Sequence, residues 1–288
     1  MSFPKIRGYE ITKKLGEGGY GVVYLAISKK TGGKVAIKIS TFKITKTAQQ
    51  AEKFFNDEVK ILQDISRYPN CNPYFLCIID HITIPKKSGN IHALITEYID
   101  GYNLYELTTC MNDTKHRLSE EDLITLIEHL LIGLNELHSR GIVHRDIKAE
   151  NIMFNDNKLA IKLIDFGGAC SLASLDSCFE HITGTIGLFD QRAISYAISQ
   201  KKGKGSIRLI EKSLKANDVY ALGRTIWELA TLKNAQEYEP EEQLEPISNY
   251  GYSHKLTGLV YGLTINDWKV RYTAEEALKI LTKQIKTK

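Results

Sequence analysis

No apolar run in this 288-residue chain reaches the roughly 18 residues that a membrane-spanning helix needs. The opening stretch, Met1 to Tyr9, carries Lys5 and Arg7 with no apolar core behind them, so no secretory signal is expected. The closing Thr287-Lys288 holds no lipidation box. Cysteine is sparse and odd in number: Cys71, Cys77, Cys110, Cys170 and Cys178 are all there is, and no two form a CxxC. That argues against a disulfide framework or a zinc ribbon and fits a reducing compartment, cytoplasmic or nuclear. A strong charge of one sign is missing as well, with 38 Lys and Arg against 34 Asp and Glu for a net +4. No specific nucleic acid and no membrane are expected as partners. There is no internal repeat and no low-complexity linker. What is there is 43% hydrophobic and 25% charged, an ordinary globular composition that excludes collagen-like and fully disordered classes. At this length about three quarters of the unfolded surface can be buried, in one large core or two.

The first hundred residues read as β-rich. Tyr9 to Leu15, Val22 to Ser28 and Val35 to Ile39 are β-branched and aromatic runs separated by glycines, the pattern of an antiparallel meander. Residues 48 to 65 change period, with Phe54, Phe55, Val59, Ile61, Leu62 and Ile65 at helical spacing. Two further strands are expected around Leu76–Ile84 and Ile91–Tyr98, joined by a loop from Pro85 to Asn90. Beyond residues 97 to 104 the composition shifts and the chain reads as mainly helical. Ser119 to Asp122 opens a long apolar-periodic helix through His138. A strand–turn–strand at Ile152–Phe154 and Ala160–Ile164 turns at Asp156-Asn157. A very apolar helix covers 216 to 232, and Thr273 caps a last one to about Ile285.

Chemistry concentrates in a few places. Leu15-Gly16-Glu17-Gly18-Gly19-Tyr20-Gly21-Val22-Val23 contains GxGxxG between two strands, whereas a dinucleotide fold sets it between a strand and a helix. Bare backbone N–H groups there can lie over a polyphosphate; a plain glycine-rich hairpin is the alternative. Lys38 ends Val35-Ala36-Ile37-Lys38 on an apolar strand, where a lone ammonium is costly to bury, and Glu58 lies on the helix that follows. His144-Arg145-Asp146-Ile147-Lys148-Ala149-Glu150-Asn151 precedes Asp165-Phe166-Gly167. Two acids and an amide near one cleft make a hard-oxygen site of the kind that suits Mg²⁺.

In this order, these blocks resemble the eukaryotic-type protein kinase family, from about Tyr9 to Ile285. Asp218-Val219-Tyr220-Ala221-Leu222-Gly223 resembles the family's buried helix, whose Asp holds the catalytic loop, and Arg271 matches its late arginine. The resemblance implies an α+β, two-lobed fold: a small antiparallel β-rich N-lobe with one main helix over 1–97, a hinge at 97–101, and a larger, mainly helical C-lobe over 102–288. The chain then reads as a single kinase domain, 1–288, with almost nothing appended. It implies ATP as phosphate donor and Mg²⁺ as cofactor, with Mn²⁺ as an alternative ion. Leu15, Gly16, Glu17, Gly18, Gly19, Tyr20, Gly21 and Val22 would close over the nucleotide, and Lys38, held by Glu58, would contact its phosphates. Val23, Ala36 and Met153 would sandwich the adenine, Glu97 and Ile99 would offer backbone groups to its edge, and Thr96 would gate the pocket behind. Asn151 and Asp165 would bind the metal. Asp146 would take or orient the acceptor proton, with Lys148 balancing charge on the transferred group. Leu62, Ile78, Phe166 and His144 would stack as a spine. Lys148 and Thr185 resemble the serine/threonine branch, so a protein substrate with a Ser or Thr hydroxyl is implied.

The pattern breaks after Gly184-Thr185. The family expects a tyrosine and then Ala-Pro-Glu; Leu188 takes the tyrosine slot and Arg192 the glutamate slot. Two arginines cannot form the family's pair with Arg271, so the activation segment must be anchored otherwise. This motivates an alternative, a pseudokinase-type scaffold or allosteric partner that binds nucleotide without efficient transfer. Kinase-fold transfer to a small molecule or lipid is a third class. Arg145 beside Asp146 points to control by phosphorylation at Ser171, Ser174, Ser177 or Thr183, unless Asp176 or Glu180 supplies the anion. The basic run across 201–215 reads as a solvated face or as a recruiter of acidic or prephosphorylated substrate.

Overall fold

A computed structural model describes residues 3–19, 21–40, 47–85, 90–155, 160–180, 184–185, 188–202, 206–239 and 242–285. They fall into two compact units: Met1–Asp100 with Asp165–Gly167, and Gly101–Ile164 with Gly168–Lys288. No helix among the described residues is long and apolar enough to cross a membrane.

In the first unit the expected meander forms as β1 (Tyr9–Gly18), β2 (Gly21–Ser28) and β3 (Lys34–Ser40), with β4 (Ile78–Ile84) and β5 (Ile91–Glu97) completing an antiparallel sheet in the order β1-β2-β3-β5-β4. Side chains alternate across a strand with period two. Ala26, Val35, Ile37, Ala93 and Ile95 therefore share one face and, with Ile6, form its core. The other face carries Ala36 opposite Thr96 and Lys38 opposite Leu94. Helix α1 (Ala48–Ile65) packs against β4 and β5. Thr47 starts it by accepting the Gln50 N–H at 3.2 Å, satisfying an amide that has no intrahelical partner. Phe55, Val59, Leu62 and Ile65 bury its inner stripe, with the Phe55 ring stacked on His92 at 4.8 Å. Each such Phe or Leu contributes about 1.5–3 kcal/mol relative to exposure.

The second unit is mainly helical. Its central helix, α5 (Ile207–Thr231), begins earlier than the expected 216, because Arg208, Glu211 and Lys212 form a polar entry to a segment buried almost throughout from Ser213 on. Its hydroxyls close on their own helix, Thr225 to Ala221 O and Thr231 to Trp227 O, so burial leaves them satisfied. The expected long helix is α3 (Glu120–Ser139), capped by Ser119. Two short strands, β6 (Tyr102–Asn103) and β7 (Ile142–Val143), flank it in sequence, and helix α2 (Leu104–Thr114) follows β6 behind an Asn103–Glu106 capping box. The strand–turn–strand becomes β8 (Ile152–Asn155) and β9 (Ala160–Leu163), while β10 (Cys170–Ser171) pairs with β7. Helices α4 (Gln191–Lys202) and α6 (His254–Thr264) pack on α5, and α7 (Ala274–Ile280) packs on α3.

One expectation is overturned. Cys71 is bonded to Cys77 and Cys170 to Cys178. Each pair closes a short turn that no CxxC spacing marks, and each has its Cα atoms 5.3 Å apart, inside the bridging range of about 4.4–6.8 Å. The reducing compartment loses the support that unpaired cysteines gave it.

Candidate active site

The sheet and α1 of the first unit assemble an ion cluster. Lys38 Nζ lies 2.7 Å from Glu58 Oε1 and 2.7 Å from Asp165 Oδ1. Burial alone would lower the lysine pKa, but the two carboxylates outweigh it and hold Lys38 above the ordinary lysine range. Burial pushes the Glu58 carboxyl up while Lys38 pulls it down. Lys38 is thus a fixed cation. Asp165 sits in the left-handed region at φ 58°, and Phe166 behind it is fully buried with its ring edge-on to Phe75 at 6.0 Å. Leu62 and Ile78 are buried in the same unit, and Phe75, which the sequence reading did not single out, packs against Phe166.

The glycine loop runs from the end of β1 into β2, with Gly16 opposite Val23, Glu17 opposite Val22 and Gly18 opposite Gly21. Its glycines answer to different demands. At Gly21 a Cβ would lie 2.4 Å from Ile39 O, so the protein's own backbone excludes a side chain. A Cβ at Gly16 or Gly18 would meet no heavy atom within 4 Å. Internal packing leaves those two positions open, as a loop that covers a ligand requires. Leu15 is exposed, and Glu17 pairs with Lys14 at 2.6 Å. Val23 lies opposite Lys38, and Thr96 is buried beside Glu97, whose carbonyl accepts its hydroxyl at 3.3 Å. The Glu97 N–H donates to Cys77 O at 3.0 Å, and Ile99 is half-buried. Tyr20 lies outside the described residues.

The second unit holds the acid. Thr185 Oγ1 donates to Asp146 Oδ1 at 2.9 Å and accepts from Lys148 Nζ at 3.1 Å; that ammonium is also 3.2 Å from Asp146 Oδ2. Asn151 donates to the Asp146 carbonyl at 2.8 Å and to its Oδ2 at 3.0 Å. Beneath them, the wholly buried Asp218 accepts the backbone N–H groups of His144 at 2.8 Å and Arg145 at 2.7 Å, together with His138 Nε2 at 3.0 Å. Arg145 is left-handed at φ 66°, a costly conformation for a residue with a side chain, and these bonds hold it there. Met153 is half-buried on β8.

The expected metal ligands are oxygen donors, each in its own unit: the Asp165 carboxylate in the first, and in the second the Asn151 amide oxygen, whose NH₂ is spent on Asp146. That chemistry fits a hard divalent cation, which takes few protein ligands. No cluster of three or more His, Cys, Asp or Glu suited to a metal occurs among the described residues.

The missing Ala-Pro-Glu anchor has a substitute. Arg271 Nη2 meets Asp190 Oδ2 at 2.7 Å, both side chains buried, while Arg192 is exposed on the first turn of α4. The acid stands two positions before the slot that sequence comparison gave to Arg192, because Asp190 doubles as the start of α4, accepting the Arg192 and Ala193 N–H groups. Arg145 donates to the carbonyls of Gly168 and Cys178, each at 2.6 Å, and Asp176 pairs with Lys201 at 2.8 Å. Ser177 donates to Ser174 O, Ser171 lies on β10 and Thr183 is outside the described residues. The basic run is dispersed. Lys201 faces Asp176 and Phe179, Arg208, Lys212 and Lys215 line a cavity of about 380 Å³ together with Glu211, and Lys204 is not among the described residues.

The family model described as a protein kinase domain matches residues 9–285. Serine/threonine-protein kinase D of Synechocystis sp. is 30% identical over 275 residues, 90% of this chain and 48% of that protein. Human serine/threonine-protein kinase Nek5 is 28% identical over 261 residues, 88% of this chain and 33% of its own. Serine/threonine-protein kinase sid1 of Schizosaccharomyces pombe is 30% identical over 182 residues, 62% of this chain and 34% of its own. The chain spans about half or less of the length of these relatives. It belongs to the protein kinase domain family, among relatives named as serine/threonine kinases.

Proposed function

We propose that the chain, working as one domain, transfers the γ-phosphoryl group of ATP to serine or threonine hydroxyls of proteins. The observation that carries this reading is the bonding around Asp146. A carboxylate held by Thr185, Lys148 and Asn151 is aimed, as an acceptor for a hydroxyl proton must be. In the proposed reaction the substrate oxygen attacks the γ-phosphorus, its proton passes to Asp146, and ADP departs. Phosphoryl transfer asks little covalent work of the protein, so positioning and charge dominate. Lys38, fixed by Glu58 and Asp165, supplies charge to the α- and β-phosphates, and Lys148 supplies it to the moving group. Gly16, Gly18 and Gly21 let the loop approach the phosphates, while Val23, Ala36 and Met153 flank the adenine. Mg²⁺, held by Asp165 and Asn151, supplies further charge neutralisation when bound.

The scaffold alternative rested on Arg192 in a slot that needs an acid. The Asp190–Arg271 pair supports the enzyme reading over that alternative, which is kept as the second reading. Control by phosphorylation at Ser171, Ser174, Ser177 or Thr183 is retained as a proposal, as is recruitment of acidic or prephosphorylated substrate by the basic run across 201–215. The deciding experiment is phosphorylation of a degenerate Ser/Thr peptide library with Mg·ATP, beside Asp146→Asn. Label in the wild type alone supports the reading; equal label in both, or label only in a small metabolite, sinks it.

A further inference from the structure

We infer that the Cys170–Cys178 bond is a redox switch on the catalytic loop, an inference that rests on the kinase reading of Asp146. The two cysteines bracket a loop, and both of its ends touch the residues that set Asp146 in place. Cys170 pairs with Val143, immediately before His144, and the next residues stay on the same track, with Leu172 N–H donating to Gly141 O at 2.7 Å. At the other end, the Cys178 carbonyl accepts Arg145 Nη1 at 2.6 Å. Arg145 is the neighbour of Asp146 and already sits in a left-handed conformation. One covalent bond therefore closes a ring through the strand before the catalytic loop and the guanidinium within it.

The loop itself is built of short turns over a small apolar patch. The segment carries two short 3-10 turns, Leu172–Ser174 and, around Cys178, Ser177–Phe179, and Ala173, Ser174 and Asp176 are exposed. The apolar contribution comes from Leu172 and the cysteines themselves, packed with Val143, Ala197, Ile210 and Leu214, with Leu175 and Phe179 partly buried against them. The Asp176–Lys201 pair has its acid largely exposed, and such pairs contribute little. Without the crosslink the unfolded loop regains the freedom that closure denied it, and its open state becomes populated.

The step is a thiol–disulfide exchange with a dithiol reductant. A thiolate of the reductant attacks one sulfur of the pair, breaking the Sγ–Sγ bond and forming a mixed disulfide. The second thiol of the reductant then displaces that sulfur. Cys170 and Cys178 end as two thiols carrying the two protons, and the reductant ends as its own disulfide. Both cysteines are buried, so exchange proceeds through the opened loop. A small-molecule disulfide reverses the reaction.

The test uses the full chain, treated with oxidised glutathione or with dithiothreitol, the state of each pair being read by mass spectrometry. Peptide-transfer rate and backbone hydrogen exchange are followed across 141–146 and 168–180. Reduction of Cys170–Cys178 is expected to speed exchange in both segments and to lower transfer on the order of tenfold. Reoxidation is expected to restore both. Cys170→Ser and Cys178→Ser should sit at the reduced level and ignore the reductant, whereas Cys71→Ser with Cys77→Ser should keep the response. Unchanged exchange and transfer after proven reduction overturn the switch, as does failure of the pair to form under oxidised glutathione. If exchange responds while no peptide is labelled in either state, the clamp is supported and the kinase reading is what fails.

Discussion

Asp190 and Arg271 meet at 2.7 Å with both side chains almost wholly removed from water. Burial pulls the Arg271 pKa down while Asp190, at close range, pulls it up. The pair ties the segment leading into α4 to the loop before α7. Removing one partner leaves a buried charge alone, a loss typically of about 3–5 kcal/mol. Asp190→Ala should lower the thermal midpoint clearly, and Asp190→Ala with Arg271→Met should recover part of it. A single variant as stable as wild type in calorimetry would show that the pair is not an anchor.

Asp146→Asn keeps the shape of the side chain and removes the carboxylate. A positioned base is worth about 10²–10⁴ in rate. Turnover should fall by that factor with ATP affinity nearly unchanged, measured by steady-state transfer and nucleotide titration.

The glycine loop separates stability from binding. Gly21→Ala forces a Cβ toward Ile39 O and should destabilise the fold. Gly16→Ala and Gly18→Ala meet open space and should melt like wild type while weakening ATP. Urea unfolding alongside ATP titration distinguishes them, and a destabilised Gly18→Ala would contradict the assignment.

Glu228 gives a pH signature. Burial is the main cause raising its pKa to about 7; the nearby Glu150 charge adds to it, and the Ala235 N–H and Arg224 oppose it. Unfolded, the group titrates near 4.5. Between those values the native state holds a proton that the unfolded chain has lost, so stability falls as pH rises, by up to roughly 3 kcal/mol, and levels off above 7. Glu228→Gln should flatten that slope while still accepting the Ala235 N–H. Denaturant midpoints from pH 4 to 8 check it, an unaltered slope counting against the assignment.

Much of this was legible in the residues. Period-two runs gave the meander, and the helical spacing from Phe54 to Ile65 gave α1, because each element buries one face. Lys38, Glu58, Asp146, Asn151 and Asp165 lie in blocks whose residue types are dictated by charge chemistry. Asp190 was not legible as an anchor, since a carboxylate reaching Arg271 from a helix start leaves no spacing rule behind. Phe75 against Phe166 depends on tertiary packing alone. The two disulfides escaped because their spacing matches no motif, and α2, α4 and α6 escaped because each spans only 11 or 12 residues, a short window for a helical period to stand out.

Asp218 is a template as much as a hydrogen-bond acceptor. It sits in the most inaccessible stretch of α5 and dictates the path of the His144–Arg145 backbone. Part of the aim of the Asp146 carboxylate is thereby inherited from the core, so a change that melts α5 is expected to loosen the His144–Arg145 backbone with it.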